Sequence, residues 1–263
     1  MTPEAYGEYT MQRLRQATVA AILVISALLS GCAFNPVSGQ SELRLVGVQE
    51  EINMGRNVDA EVRKQYKAQT GTAAAERVQR IGEKIAAVSD RKNIDYHFAL
   101  LESDQLNAFA APGGFIYVTT ETEKVSSTDS ELAAVIGHEI GHVAALHSVN
   151  QLQKSLGYEI FSSLAFGQDQ AAAQAAADIA FNSVIMTGFS RADELQADEL
   201  GVKYSWRAGY DPYGLTNFFT KLQERNRETA VDKTFEFLRS HPLDSTRRGR
   251  AESLASYYAG RAR

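Results

Sequence analysis

Residues 131–146 read ELAAVIGHEIGHVAAL, and within them His138-Glu139-Ile140-Gly141-His142 decides how the rest of the chain is to be read. The two histidines are four positions apart. On a helix their imidazoles therefore leave the same face about one turn apart. That spacing lets both reach a single zinc ion at roughly 2.0–2.1 Å. Zinc lowers the pKa of a coordinated water to about 7. Glu139, beside the pair, is placed to take the proton of such a water as it attacks a peptide carbonyl, and to pass it to the leaving amine. The flanking Leu132, Val135, Ile136, Ile140, Val143 and Leu146 predict a largely buried helix. Two histidines and a glutamate inside an apolar helix need partners, which argues against an ordinary charged surface helix.

A metal site needs a third ligand. The metzincin pattern places Gly at position 145 and His at position 148; Ala145 and Ser148 stand there and exclude it. His147 is one residue out of register, faces away from His138 on a continuous helix, and reads as a solvent-facing or helix-end histidine. Further on, Ser190-Arg191-Ala192-Asp193-Glu194-Leu195-Gln196-Ala197-Asp198 puts Glu194 and Asp198 on one helix face. Glu194 can complete a two-histidine, one-glutamate site. Asp198 can accept the outer N–H of a ligand histidine and fix its tautomer. Arg191 is read equally as a substrate contact and as half of a structural ion pair.

Around these two helices the pattern is mostly helical. Helices are expected over 49–66, 73–88, 129–149, 190–208, 215–225 and 246–258. Ile94, Tyr96, Phe98 and Leu100 alternate with polar residues as in a half-buried strand, and Phe115 to Val118 form a second strand opened by Pro112-Gly113-Gly114. The fold class is therefore α+β, mostly helical with a small sheet. Residues 161–180, rich in Ala, Gln and Ser, lie between the two zinc helices; the pattern is compatible with helix, a mobile flap or both, and the place in the chain suggests a lid over the cleft.

The 263 residues carry a net charge of −5 at an isoelectric point near 5.6. That balance argues against nucleic acid as a partner, since phosphate binding wants a basic face. Arg13 and Arg15 precede an apolar run from Ala17 to Leu29, followed by Ser30, Gly31 and the only cysteine, Cys32. A basic start, a short apolar stretch and small residues before a boundary describe an export signal. Leu29-Ser30-Gly31-Cys32 resembles the bacterial lipobox, whose cysteine is lipidated and becomes the first residue of the mature protein. The expected organisation is a signal peptide over 1–31, a lipidated N-terminus and linker over 32–48, and a catalytic domain over 49–263. Asn35 to Gln40 reads as linker. Translation from Met11 in place of Met1 remains open. Ala33 after the cysteine resembles the sorting pattern that places lipoproteins on the periplasmic face of the outer membrane.

The chain resembles the gluzincin metallopeptidases of family M48, which include the heat-shock protease HtpX, the CAAX prenyl protease and soluble periplasmic lipoprotein proteases. The pieces that carry the resemblance are Asn107-Ala108-Phe109-Ala110-Ala111-Pro112-Gly113-Gly114, the helix from Ala134 to His142, the stretch Ser190 to Asp198, and His241-Pro242. They appear in family order. The resemblance implies a gluzincin-type domain with one zinc per chain, held by His138, His142 and Glu194, and Asp198 supporting a ligand histidine. It implies that the strand opened by Gly113 and Gly114, with Phe115 and Ile116, is a sheet edge that borders the site and holds extended substrate. It also implies that His241 and Arg247 stabilise the oxyanion of the attacked carbonyl; alternatively, His241 fills the fourth zinc position and holds the enzyme off. The leading functional expectation is an endopeptidase acting on unfolded or misassembled cell-envelope proteins. The alternative is a zinc-containing chaperone or scaffold serving the outer-membrane assembly machinery with little cleavage.

Overall fold

In the computed structural model, residues 32–35, 37, 39, 41–43, 46–155, 170–186, 188–228 and 235–261 are described. The expected signal segment 1–31 lies outside them, as do residues 161–169 of the expected lid. Chain contacts divide between Gly47 and Val48. In the first unit, the described residues on either side of the expected linker pair as a hairpin. Strand β1 (Cys32–Phe34) pairs antiparallel with β2 (Ser41–Leu43). The turn closes because Asn35 Oδ1 accepts from Val37 N at 2.9 Å, while Asn35 O accepts from Gly39 N at 2.9 Å.

The second unit is built on a four-stranded sheet and a set of helices. Helix α1 (Val48–Gln65) leads into β3 (Ala68–Gln69), and α2 (Ala73–Ala86) follows, capped by Thr72, whose hydroxyl accepts from Ala75 N. The alternating stretch settles as β4 (His97–Leu101), then come β5 (Ala108–Ala111), a 3₁₀ turn over Pro112–Gly114 and β6 (Phe115–Thr119). The sheet order is β3-β4-β6-β5. β4 and β6 run parallel, from His97↔Phe115 to Leu101↔Thr119; β5 lies antiparallel to β6.

This order corrects the expected edge. The strand opened by Gly113 and Gly114 is interior, with both sides paired, and Gly113, Gly114, Phe115 and Ile116 are all buried. The edge strands are β3 and β5, and the residue pattern alone did not show β5 as a strand. Alternation marks which side of a strand faces the core; it carries no information about which strand lies outermost. The glycine turn itself is set by close packing. Gly113 (φ +73°) and Gly114 (φ +93°) occupy the left-handed region, and a Cβ on Gly113 would sit 2.8 Å from Ile52 Cα in α1. Gly113 N also donates to Glu51 Oε1.

After α3 (Thr120–Val125), the zinc-motif helix α4 (Asp129–Ala144) begins with a capping box. Thr128 Oγ1 accepts from Glu131 N, and Glu131 reaches back to Thr128 N. Every residue from Glu131 to Ala144 is buried. The helix was expected to run to about Val149 but stops at Ala144. Leu146 takes φ +65°, a costly conformation for a bulky residue, and α5 (His147–Ser155) leaves at 55° to α4. The last turn of α4 is held by Arg91, whose Nη1 donates to Val143 O and whose guanidinium grips the buried Glu51 with both outer nitrogens.

Four more helices complete the chain before its last: α6 (Gln170–Met186), α7 (Arg191–Arg207), α8 (Gly214–Glu228) and α9 (Phe235–Ser240), ahead of α10 (Ser245–Ala259). The part of the Ala-rich stretch that is described is thus helix. α7 opens with a second capping box, between Ser190 and Asp193. Its packing on α4 is close. A Cβ on Gly137 would lie 2.9 Å from Gly201 O, and one on Gly201 would lie 2.9 Å from His138 N. Small residues here let the two backbones meet, and that brings the acidic turn of α7 against the histidines of α4.

Candidate metal centre

Three elements supply the site. α4 carries His138, Glu139 and His142; α7 carries Glu194 and Asp198; the loop between α9 and α10 carries His241. His138 Nε2 and His142 Nε2 are 2.9 Å apart, and His241 Nδ1 lies 3.3 Å from His138 Nε2. Glu194 Oε1 lies 2.9 Å from His241 Nδ1 and 3.4 Å from His142 Nε2, and its Oε2 lies 3.5 Å from His138 Nε2. One ligand atom from each of His138, His142, Glu194 and His241 falls within 4.8 Å of the other three.

The group fits zinc. Ligand atoms at roughly 2.0–2.1 Å from a tetrahedral ion sit roughly 3.3–3.4 Å from one another, and the separations above bracket that value. Three neutral imidazoles and a carboxylate are also the donor types zinc prefers. A second observation agrees. Glu139 is fully buried, yet among the described residues neither of its carboxylate oxygens has a hydrogen-bond partner; His241 Nε2 is 3.6 Å from Oε1. A buried carboxylate without partners is expensive unless a ligand is meant to meet it.

Burial raises the Glu139 carboxyl above its usual range, against the opposing pull of His241 and His138. Burial would raise Glu194 too, but His241, His142 and His138 around it hold it well below the ordinary carboxylate value. His142 is held well below its ordinary value by burial. A neutral His142 and an ionised Glu194 are forms that bind a metal, whereas His241, although burial opposes its charge, is raised above its ordinary value by Glu194 and Glu139.

Around the ligands a set of partners fixes their geometry. His138 Nδ1 lies 2.9 Å from Asp198 Oδ1. Burial opposes ionisation of Asp198, but hydrogen bonds from Arg247 and His138 keep its carboxyl below the usual range. Arg247 is placed differently from the expectation that it faces an oxyanion. Its Nε and Nη2 donate to the two oxygens of Asp198, each at 2.7 Å; Nη1 lies 2.6 Å from Glu194 Oε2 and donates to Pro242 O. The guanidinium is 1% exposed and spent on structure. Arg191 lies against Asp244 and Thr246 at the start of α10, the ion-pair option of its two readings.

His147 corrects another expectation. The kink at Leu146 turns it inward instead of out to solvent. It is 4% exposed, its Nδ1 is 2.9 Å from His142 Nδ1, and its Nε2 is 2.9 Å from Gln196 Oε1 on α7. Phe189, just before α7, stacks on His142 with ring centres 3.9 Å apart and 24° between planes. His147, Gln196 and Phe189 were not read from sequence as parts of the site. The one available signal was that a second ligand histidine also needs a partner for its outer nitrogen.

The profile of Peptidase family M48 matches residues 72–255. The chain is 26% identical over 230 residues to a beta-barrel assembly-enhancing protease of Yersinia pestis, covering 84% of this chain and 47% of that protein. The corresponding Escherichia coli K12 protein is 25% identical over 253 residues, with 91% and 52% covered. A mitochondrial metalloendopeptidase OMA1 of Schizosaccharomyces pombe is 24% identical over 215 residues, with 81% and 63% covered. The chain thus spans about half the length of the beta-barrel assembly-enhancing proteases it matches.

Proposed function

The chain belongs to peptidase family M48, and we propose on that premise that it is a zinc-dependent endopeptidase cleaving unfolded or misassembled proteins of the bacterial cell envelope. The observation that carries the proposal is the buried Glu139, whose carboxylate accepts no hydrogen bond among the described residues, beside a donor set of His138, His142 and Glu194. Zinc held there supplies a Lewis acid and water of lowered pKa. Glu139, raised by burial, takes the proton released as the scissile carbonyl is attacked and hands it to the departing amine. Asp198 keeps the ring of His138 turned towards the ligand group, and Arg247 keeps Asp198 and Glu194 in place.

Extended substrate would pair with β5 in place of the interior strand carrying Gly113, Gly114, Phe115 and Ile116. Asn107, Phe109 and Ala111 share the phase that bonds to β6, since Asn107 O accepts from Thr119 N, so Ala108 and Ala110 face the free side. Ser148 Oγ now occupies Ala110 O. The residue order ending at Leu29-Ser30-Gly31-Cys32 supports export and attachment to lipid through Cys32, at the periplasmic face of the outer membrane. The names of the bacterial relatives support β-barrel assembly as the setting.

One observation favours the second reading, a chaperone or scaffold with little cleavage. His138, Glu139, His142, Glu194 and His241 are each at most 2% exposed, and His241 sits among the ligands, as expected of a histidine that holds the enzyme off. The two readings separate when the zinc-loaded chain is incubated with one outer-membrane β-barrel protein in folded and in unfolded form. Cleavage confined to the unfolded form supports the peptidase. Binding of the unfolded form without any new fragment supports the chaperone.

A further inference from the structure

We propose that His147 is a positioning residue that locks His142 in the tautomer able to bind metal, through a relay from His142 to His147 to Gln196. This rests on the zinc reading of the site and adds to it a second support, built from residues not previously assigned to it.

The direction of every proton in the relay follows from the two ends. At one end, His142 Nε2 points into the ligand group, 2.9 Å from His138 Nε2 and 3.4 Å from Glu194 Oε1. To coordinate through Nε2, a neutral imidazole must carry its proton on Nδ1. That N–H faces His147 Nδ1 at 2.9 Å, which must then be an acceptor. His147 is therefore protonated on Nε2. At the other end, Nε2 meets two acceptors, Gln196 Oε1 at 2.9 Å and Asp193 Oδ1 at 3.4 Å. The Asp193 carboxylate can only accept, so the Nε2–H assignment stands whichever way the Gln196 amide is turned. The chain of donors closes from α4 to α7 without a conflict.

The backbone is shaped for this contact. With Leu146 at φ +65°, His147 starts a new helix; on an uninterrupted α4 it would point away from the site. A bulky residue in the left-handed region is strained and persists where the surroundings over-determine it. Here the surroundings are the His142 contact, the Gln196 contact and Ser148 bonded to Ala110 O. The two ligand histidines are thus held by unlike partners. His138 faces a carboxylate neutralised by Arg247, and His142 faces a neutral imidazole. Without His147, the outer nitrogen of His142 would be buried without an acceptor and its ring free to take the other tautomer.

The test uses the full chain and two substitutions. His147→Leu fills the space without an acceptor; His147→Asn keeps an oxygen near the place of Nδ1. Zinc dissociation constants are read by competition with a chromogenic chelator. We expect His147→Leu to weaken zinc binding roughly 10–100-fold, and His147→Asn to recover most of that loss. Binding by His147→Leu within twofold of the parent overturns the proposal. Failure of the parent itself to bind one zinc overturns the zinc reading beneath it, and so is distinguishable. Should His147→Leu not fold, the zinc-loaded parent labelled with ¹⁵N-histidine decides. Protons on His142 Nδ1 and His147 Nε2 support the relay; a proton on His147 Nδ1, or coordination of His142 through Nδ1, refutes it.

Discussion

Replacing Arg247 by Leu is expected to unfold the metal-free protein far more readily, and the size of the effect follows from what the guanidinium touches. Arg247 is 1% exposed and is bonded to both oxygens of Asp198 and to Pro242 O, with Glu194 Oε2 at 2.6 Å. Leucine fills much of the volume but leaves Asp198 and Glu194, which are 0% and 1% exposed, without their shared cation. Removing one partner of a buried ion pair costs about 3–5 kcal/mol, because the remaining charge stays buried. For a domain of 150–250 residues each kcal/mol shifts Tm by about 2–4 °C, so a fall of roughly 6–20 °C is expected. Arg247→Lys should fall between, since an ammonium keeps the charge and loses the two-pronged grip on Asp198. The assay is urea and thermal unfolding followed by circular dichroism in the presence of a chelator, with hydrolysis measured on the zinc-loaded proteins. An oxyanion role for Arg247 predicts the opposite pattern: unchanged unfolding with reduced turnover. That result would refute the structural placement of this residue.

Two further predictions concern the frame of the site. Gly201→Ala puts a methyl 2.9 Å from His138 N, so α4 and α7 must part by about 0.5 Å to reach ordinary contact, beyond the roughly 0.2 Å tolerance of zinc–ligand distances. Zinc affinity measured by chelator competition should fall even though alanine favours helix by about 1 kcal/mol; undiminished affinity would show that the two backbones are not in contact. Asp90 accepts from Lys203, Arg207 and Tyr204, and although burial opposes it, those bonds hold its carboxyl below the usual range. Its folded pKa lies below its unfolded value, so its contribution is complete above about pH 5 and lost as pH falls through the folded pKa. The gap in urea midpoint between the parent and Asp90→Asn should therefore narrow from about pH 5 downward, and a gap that widens there contradicts the ion-pair reading.

What could be read from sequence was whatever depends on residues close together in the chain. The four-residue spacing of His138 and His142 and the shared face of Glu194 and Asp198 are local, and helical periodicity displays them directly. The α+β class followed from the same periodicity. What was hidden depends on tertiary context. β5 at the sheet edge is a matter of strand order, fixed by pairing across the sheet. The end of α4 at Ala144 has no proline or glycine to announce it; a leucine is held at positive φ by contacts made by its neighbours. That one break decides whether His147 is outside or inside. Arg247 looked available to substrate because its partners Asp198 and Glu194 are about 50 residues away in sequence. The pairing of β1 with β2 is likewise a matter of contacts across the chain, and the polar residues between the two strands do not announce it.

The most direct test of the central claim is zinc content measured together with casein hydrolysis, on the full chain and on Glu139→Gln. The account predicts one zinc per chain in both proteins. It predicts hydrolysis by the parent and a loss of about 10²–10⁴-fold in the variant, since only the proton acceptor has been removed. Absence of zinc from the parent, or equal hydrolysis by the two, would contradict it.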